Sequence, residues 1–123
     1  ALAFVTSAFS SYSGCRQYRE NVMAAQAGVC TDAPRIDKLR VFYNHPGFIE
    51  AMIELTAEKL AAIPADRHAT TEVIFTAHSI PAAQAQRSDY VAQLDDACGL
   101  VMAQLQRSGH RLVAKIKCRD FAA

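Results

Sequence analysis

His78 follows directly on the run Glu72-Val73-Ile74-Phe75-Thr76-Ala77 and is followed by Ser79-Ile80-Pro81. An imidazole titrates near neutrality and can ligate a metal or accept a proton. A buried strand before it and a proline after it would hold such a ring stiffly. The plainer reading is a histidine hydrogen-bonded at a strand end, and pattern alone leaves both open. The second chemically equipped run is Ser10-Ser11-Tyr12-Ser13-Gly14-Cys15. Hydroxyls near a helix start suit carboxylates or phosphates, or they serve only as caps. Tyr12 and Tyr18 each combine an apolar face with a polar tip, as a flat aromatic ligand would need. For Tyr18, on a helix stripe, simple packing is the stronger alternative. His45, His68 and His110 fall in loop-like sequence and are expected to be solvated.

The elements around these runs alternate. Leu2 to Ala8 is an apolar, partly β-branched run that reads as a buried strand. Cys15, Tyr18, Val22 and Ala25 recur at helical spacing, so a helix is expected from about Tyr12 to Gln26, with Gly28 as its stop. Thr31 to Arg35 reads as a connector and Leu39 to Tyr43 as a short strand or extended segment. Asn44-His45-Pro46-Gly47 opens a helix from about Gly47 to Ala62, whose row Glu50, Glu54, Glu58 is a solvated face. Pro64 to Thr71 reads as a second connector. Glu72 to Ala77 is a strand whose continuous apolar run predicts burial on both faces. Ser88 is the expected N-cap of a helix to about Arg107, with Val91, Leu94, Cys98, Val101 and Leu105 as its stripe. Leu112 to Ile116 is the next strand. This order predicts an α/β fold with a mostly parallel sheet, in which ligands gather outside the carboxyl ends of the strands. If the first and third strands run parallel, the Ser10–Cys15 and His78–Pro81 loops share one edge and one cleft.

The 123 residues suffice for one small domain. Thirteen basic residues balance twelve acidic ones, which gives no electrostatic footprint for nucleic acid or a membrane surface. Apolar runs are too short to span a bilayer and no signal peptide opens the chain, so a cytoplasmic setting is expected. Cys15, Cys30, Cys98 and Cys118 form no C-x-x-C pair, which removes the zinc-finger and thioredoxin readings. Each cysteine reads by default as a buried small hydrophobe or a plain thiol. The chain starts at Ala1 within an apparent strand, without Met, and stops at Ala123 just past another, as a fragment or truncated gene product would.

The run Phe4 to Glu20, reading F-V-T-S-A-F-S-S-Y-S-G-C-R-Q-Y-R-E, resembles the actinobacterial branch of the ferrochelatases. Pro34-Arg35-Ile36-Asp37-Lys38-Leu39, Asn44-His45-Pro46-Gly47-Phe48, Phe75 to Pro81 and Asp89-Tyr90-Val91-Ala92-Gln93-Leu94 fall in that family's order and spacing. The similarity covers about residues 1 to 113. It implies a Rossmann-like, class II chelatase fold of two halves clasping a porphyrin. Residues of about 1–45 would end the first half and about 46–123 would begin the second.

The resemblance implies insertion of ferrous iron into coproporphyrin III on the way to haem. His78, in the A-H-S-I/L-P motif, would bind the incoming iron or accept pyrrole protons. Tyr18 would contact the porphyrin, with Tyr12 and Ser11 in the same substrate-binding loop. Cys15 matches one ligand of the 2Fe–2S cluster that many relatives in this branch carry. The other three ligands lie near the family's far C-terminus, so this chain is not expected to hold the cluster. Beyond Leu112 the family continues with Q-S-x-x-G-P and P-W-L-x-P runs and an active-site glutamate. Here the chain reads Ala114-Lys115-Ile116-Lys117-Cys118-Arg119-Asp120-Phe121 instead, and the family's N-terminal porphyrin-binding loop is missing. Poor folding alone and little chelatase activity are therefore expected. The alternatives are a cobalt or sirohydrochlorin chelatase, and a non-catalytic remnant or porphyrin-binding module.

Overall fold

Glu72 to Ala77 forms a strand, β3, with the bounds its β-branched and aromatic run predicts. It pairs in parallel with β4, Val113–Cys118, from Glu72 opposite Val113 to Ala77 opposite Cys118. The computed structural model describes residues 1–29, 32–110 and 112–118, with only the backbone of 114–118. Cys30, the side chain of Cys118 and the Arg119–Ala123 tail, on which expectations were also placed, lie outside the described residues.

Two helices cover one face of this pair. The first, α2, runs Pro46–Ala61 and starts one residue earlier than periodicity suggests. Pro46 fits the first helical position because it has no N–H to satisfy there. His45 caps the helix, its Nδ1 accepting the Gly47 N–H at 3.2 Å. The second, α4, runs Tyr90–Arg107. Ile49 and Leu60 of α2 pack with Ala97, Val101, Met102 and Leu105 of α4 and with Leu112, and Val73 and Phe75 of β3 close the cluster. Val101 and Leu105 are fully buried.

Val73, Phe75 and Ala77 face this core, while Glu72, Ile74 and Thr76 are exposed. The expected burial on both faces is therefore corrected: Ile74 is 53% exposed. The reason is that α2 and α4 lie on one side only, and among the described residues no layer covers the other. The fold is mixed α/β with parallel pairings, in two two-stranded sheets rather than one.

The second sheet pairs β1, Leu2–Ala3, with β2, Asp37–Lys38. The strand expected over Leu2 to Ala8 is cut to two residues because its partner offers only two. Leu39 to Tyr43, read as a short strand or extended segment, forms no strand, and its aromatics have another use. Phe42 stacks on Phe4 at 5.3 Å and meets Phe48 edge-on at 5.5 Å. Phe9 contacts Tyr43, Phe48 and Tyr90 at 6.4, 6.3 and 6.0 Å. Such ring contacts add to burial energy, and they join the β1–β2 region to α2 and α4.

A π-helical turn at Tyr12–Arg16 leads into α1, Gln17–Val29. The expected stripe does not form one packed face: Cys15 and Val22 are half-buried, Tyr18 and Ala25 are exposed, and α1 buries none of its residues. The second connector contains a 3₁₀ helix at Ala65–Thr70. His68 within it is half-buried rather than solvated: its Nε2 lies 3.1 Å from the Leu60 carbonyl and 2.9 Å from that of Ile63. Carbonyls at a helix end, which lack their intrahelical partners four residues on, accept such a donor. The half-buried His110 ring stands 5.6 Å from that of His68. A short helix, α3, Ala82–Ala85, precedes α4. It takes the hydroxyl of Ser88, which donates to the Gln84 carbonyl at 2.9 Å and so does not cap α4 as expected. Asp89 occupies the cap position instead.

Candidate active site

The loop after β1 is held by short polar bonds. Ser7 Oγ donates to the Phe9 carbonyl at 3.0 Å. The Ser10 N–H and Oγ–H both donate to Gln93 Oε1, at 2.7 and 3.0 Å. Ser11 is buried, and its Oγ accepts the Gly14 N–H at 2.9 Å. The capping role left open by the sequence is therefore one that Ser11 performs. Gly14 is required here by space: a Cβ would come within 2.6 Å of Ser7 Oγ and 2.9 Å of Ser11 Oγ. Any larger residue would displace either the cap or the Ser7 bond. The π turn that follows is a form concentrated at functional sites.

His78 sits exposed immediately after β3. Its carbonyl accepts the Tyr90 phenol at 2.8 Å, and Tyr90 is itself buried. Tyr90 and Gln93 lie three positions apart on α4, one helical turn. The two loops that the sequence placed at one sheet edge thus meet through the first turn of α4, although their strands belong to separate sheets.

Between the π turn and the α3–α4 corner lies a cleft of about 690 Å³. That volume falls within the range of small-molecule sites. Ser11, Tyr12 and Cys15 line one wall, and Gln84, Arg87 and Asp89 line the other. Arg16, Arg19 and Glu20 complete the rim. Glu20 is the hub of that rim, accepting Arg16 Nε at 2.8 Å and the Tyr12 phenol at 2.9 Å. Among the described residues no ion pair engages Arg19 or Arg87. A cleft with two uncommitted guanidinium groups and several hydroxyls is suited to carboxylates.

The Arg16 hydrogen bond, then that of Tyr12, holds the Glu20 carboxyl below its ordinary value of 4.5. The bond to Glu20 and its charge push the Tyr12 phenol above its ordinary 10.0. The lowered carboxyl contributes stability above the unfolded value, and that contribution is lost as pH falls through the folded value. The raised phenol contributes below its unfolded value and loses this as pH rises past the folded one. Glu20→Gln is accordingly expected to return the Tyr12 phenol toward 10.0 in a phenolate absorbance titration. An unchanged Tyr12 titration would contradict this pairing.

Positions 12, 15, 16, 19 and 20 form one helical stripe facing the cleft, and 18, 22 and 26 form the next stripe round. Tyr18, 51% exposed, therefore lines a separate groove of about 460 Å³ with Phe4, Val22 and Met23. The structure brings Ser11, Tyr12 and Cys15 together, sets Tyr18 on the adjacent groove, and leaves His78 off the cleft lining. Cys15 is half-exposed, whereas Cys98 is buried on α4. Among the described residues no group of three or more His, Cys, Asp and Glu side chains is placed to hold a metal ion. A 2Fe–2S cluster requires four ligands. The described residues therefore do not fit one, and no step is derived through it.

The family model for ferrochelatase matches residues 1–114. The chain belongs to the ferrochelatase family. It is similar to a ferrochelatase of Rhodopirellula baltica, 50% identical over 104 residues, a match covering 82% of this chain and 28% of that relative. It is 44% identical over 114 residues to the coproporphyrin III ferrochelatase of Frankia alni, covering 87% and 29%. It is 41% identical over 116 residues to that of Streptomyces coelicolor, covering 92% and 30%. The chain thus spans about three-tenths of the length of these ferrochelatases. Among the described residues no helix is long and apolar enough to cross a membrane.

Sequence reasoning did not single out Tyr90, Gln93, Arg16, Arg19, Arg87 or Glu20. For Gln93 a signal existed: it interrupts the apolar stripe of α4, where Tyr90, Leu94, Ala97 and Cys98 are buried beside it. A buried amide needs a partner, and Ser10 supplies it. The arginines have no comparable signal, since each alone reads as a solvated charge.

Proposed function

We propose that this chain carries part of the site at which ferrous iron enters coproporphyrin III in haem synthesis, in the cytoplasm. The supporting observation is that one turn of α4 holds both the His78 loop and the Ser10–Cys15 loop beside an arginine-bearing cleft. The relatives' names favour iron and coproporphyrin III over cobalt and sirohydrochlorin. In this reading Arg19 and Arg87 meet propionate carboxylates through paired N–H donors. Tyr12 and Tyr18 lie against the macrocycle, and the Ser11 loop forms its rim. The chain would comprise the end of one Rossmann-like half, about 1–45, and the start of a second, about 46–123, each with its own parallel pair.

Insertion exchanges two pyrrole N–H protons for one ferrous ion, so the site must deliver iron and remove two protons. A neutral imidazole can do either: Nδ1 or Nε2 ligates iron, or the same lone pair takes a pyrrole proton. His78, exposed on a stiff strand end, is free to meet iron from solvent. As a lone ligand it would bind iron loosely and release it readily to the four porphyrin nitrogens. Anaerobic mixing of the chain with coproporphyrin III and ferrous iron tests the proposal through the change from free-base to metalloporphyrin absorption. Impaired insertion, little above the uncatalysed rate, is expected from this chain alone. Insertion of cobalt into sirohydrochlorin in preference would overturn it, and porphyrin binding with no insertion at all would reduce the chain to a binding module.

A further inference from the structure

Both catalytic-loop anchors come from the same helical turn, and neither belongs to a loop itself. Tyr90 is 8% exposed and donates its phenol proton to the backbone carbonyl of His78 at 2.8 Å. Its ring edge also meets Phe9, the residue that leads into Ser10, at 6.0 Å. Gln93 is 9% exposed, and its Oε1 accepts two bonds from Ser10. Buried polar groups bonded this way are costly to disturb, because a stranded partner loses its hydration without replacement. A helix that joins the two loops in this way then sets their separation.

We propose that Tyr90 and Gln93 are positioning residues that fix the His78 loop against the Ser10–Cys15 loop, so that the two move as one unit. The inference rests on the porphyrin-site reading for its functional meaning, but the mechanical claim is separable from it. Tyr90 acts on the backbone of His78 and leaves the imidazole free. Gln93 acts only as an acceptor at Oε1. A carboxylate in its place would keep both Ser10 bonds, whereas an apolar isostere would strand the Ser10 N–H.

The test uses the whole chain without ligand, followed by NMR of the Ser10 amide and the His78 ring. Gln93→Leu is expected to speed Ser10 amide exchange by about tenfold, the scale of one lost hydrogen bond, and to shift the His78 ring signals. Gln93→Glu is expected to keep exchange within about twofold of the parent, as a retained acceptor should. Tyr90→Phe, which removes one oxygen and keeps the ring, is expected to shift His78 and also to quicken Ser10 exchange. A Tyr90→Phe change confined to the His78 loop, with Ser10 exchange unaltered, would overturn the coupling. So would a Gln93→Glu variant as perturbed as Gln93→Leu. The functional part is read from coproporphyrin III affinity: Gln93→Leu is expected to weaken binding and Gln93→Glu to restore it. Equal affinity in all three would overturn the positioning role. Absence of binding by the parent itself would instead count against the porphyrin reading, and the NMR result would still decide the mechanical claim.

Discussion

Replacing His78 with alanine is expected to bring ferrous iron insertion down to the uncatalysed rate, since a positioned acid–base group usually contributes about 10²- to 10⁴-fold. The substitution removes the imidazole that would carry iron or take pyrrole protons. It leaves the His78 carbonyl, and hence the Tyr90 bond at 2.8 Å, in place. Because the side chain is exposed at a strand end, stability should change by less than about 0.5 kcal/mol. Coproporphyrin III affinity should stay within about twofold, since in the proposed reading the cleft arginines would recognise the carboxylates. Added imidazole should restore part of the rate. A variant that inserts iron at the parent rate, measured anaerobically, would remove His78 from the mechanism.

Leu105→Ala carries the largest expected effect on folding. Leu105 is 1% exposed, in the cluster that joins α2, α4 and Leu112. Truncating a leucine in such a position costs about 3 kcal/mol, from lost transfer energy and the cavity left behind. Against a total of about 5–15 kcal/mol for an ordinary domain, this is a large share. Two features make the loss harder to absorb here. Val101 is the only other fully buried large side chain among the described residues, and α1 buries none of its own. The urea midpoint of the variant, compared with the parent, reads the effect. A shift corresponding to less than about 1 kcal/mol would show that α2 and α4 do not form the principal core.

What was legible in the sequence follows from how local each signal is. The strand Glu72–Ala77 was readable because its apolar β-branched run is broken on both sides. The start of α2 was readable to within one residue because His45-Pro46-Gly47 carries its own cap and first-turn proline. The stripe of α4 was readable at Leu94, Cys98, Val101 and Leu105, while Val91 is only half-buried and Gln93 takes a buried place. Strand length at Leu2 was not readable, since a ladder can be no longer than its partner and the partner is distant in sequence. Phe4, Phe42 and Tyr43 fell in runs read as strand or extended segment, and only their ring contacts with one another and with Phe9 show their actual use. Burial on both faces of β3 was over-read, because an apolar run records what a strand tolerates and not what covers it.

The site shows the same division. The chemistry-bearing residues His78, Ser11, Tyr12 and Cys15 were legible by type and by motif resemblance. Their joining through Tyr90 and Gln93 depends on contacts across 12 and 83 residues, which no local pattern records. The groove that Tyr18 lines with Phe4 likewise joins residues distant in sequence, which its motif position alone does not record.

A coproporphyrin III titration followed by Soret absorbance, of the parent beside an Arg19→Gln, Arg87→Gln double variant, tests the central claim most directly. Saturable binding by the parent, weakened about tenfold or more in the double variant, is the predicted result, since each carboxylate–guanidinium bond contributes about 1.5–3 kcal/mol. Absence of saturable binding by the parent, or equal affinity in the two proteins, would contradict the assignment of the arginine-bearing cleft as a porphyrin site.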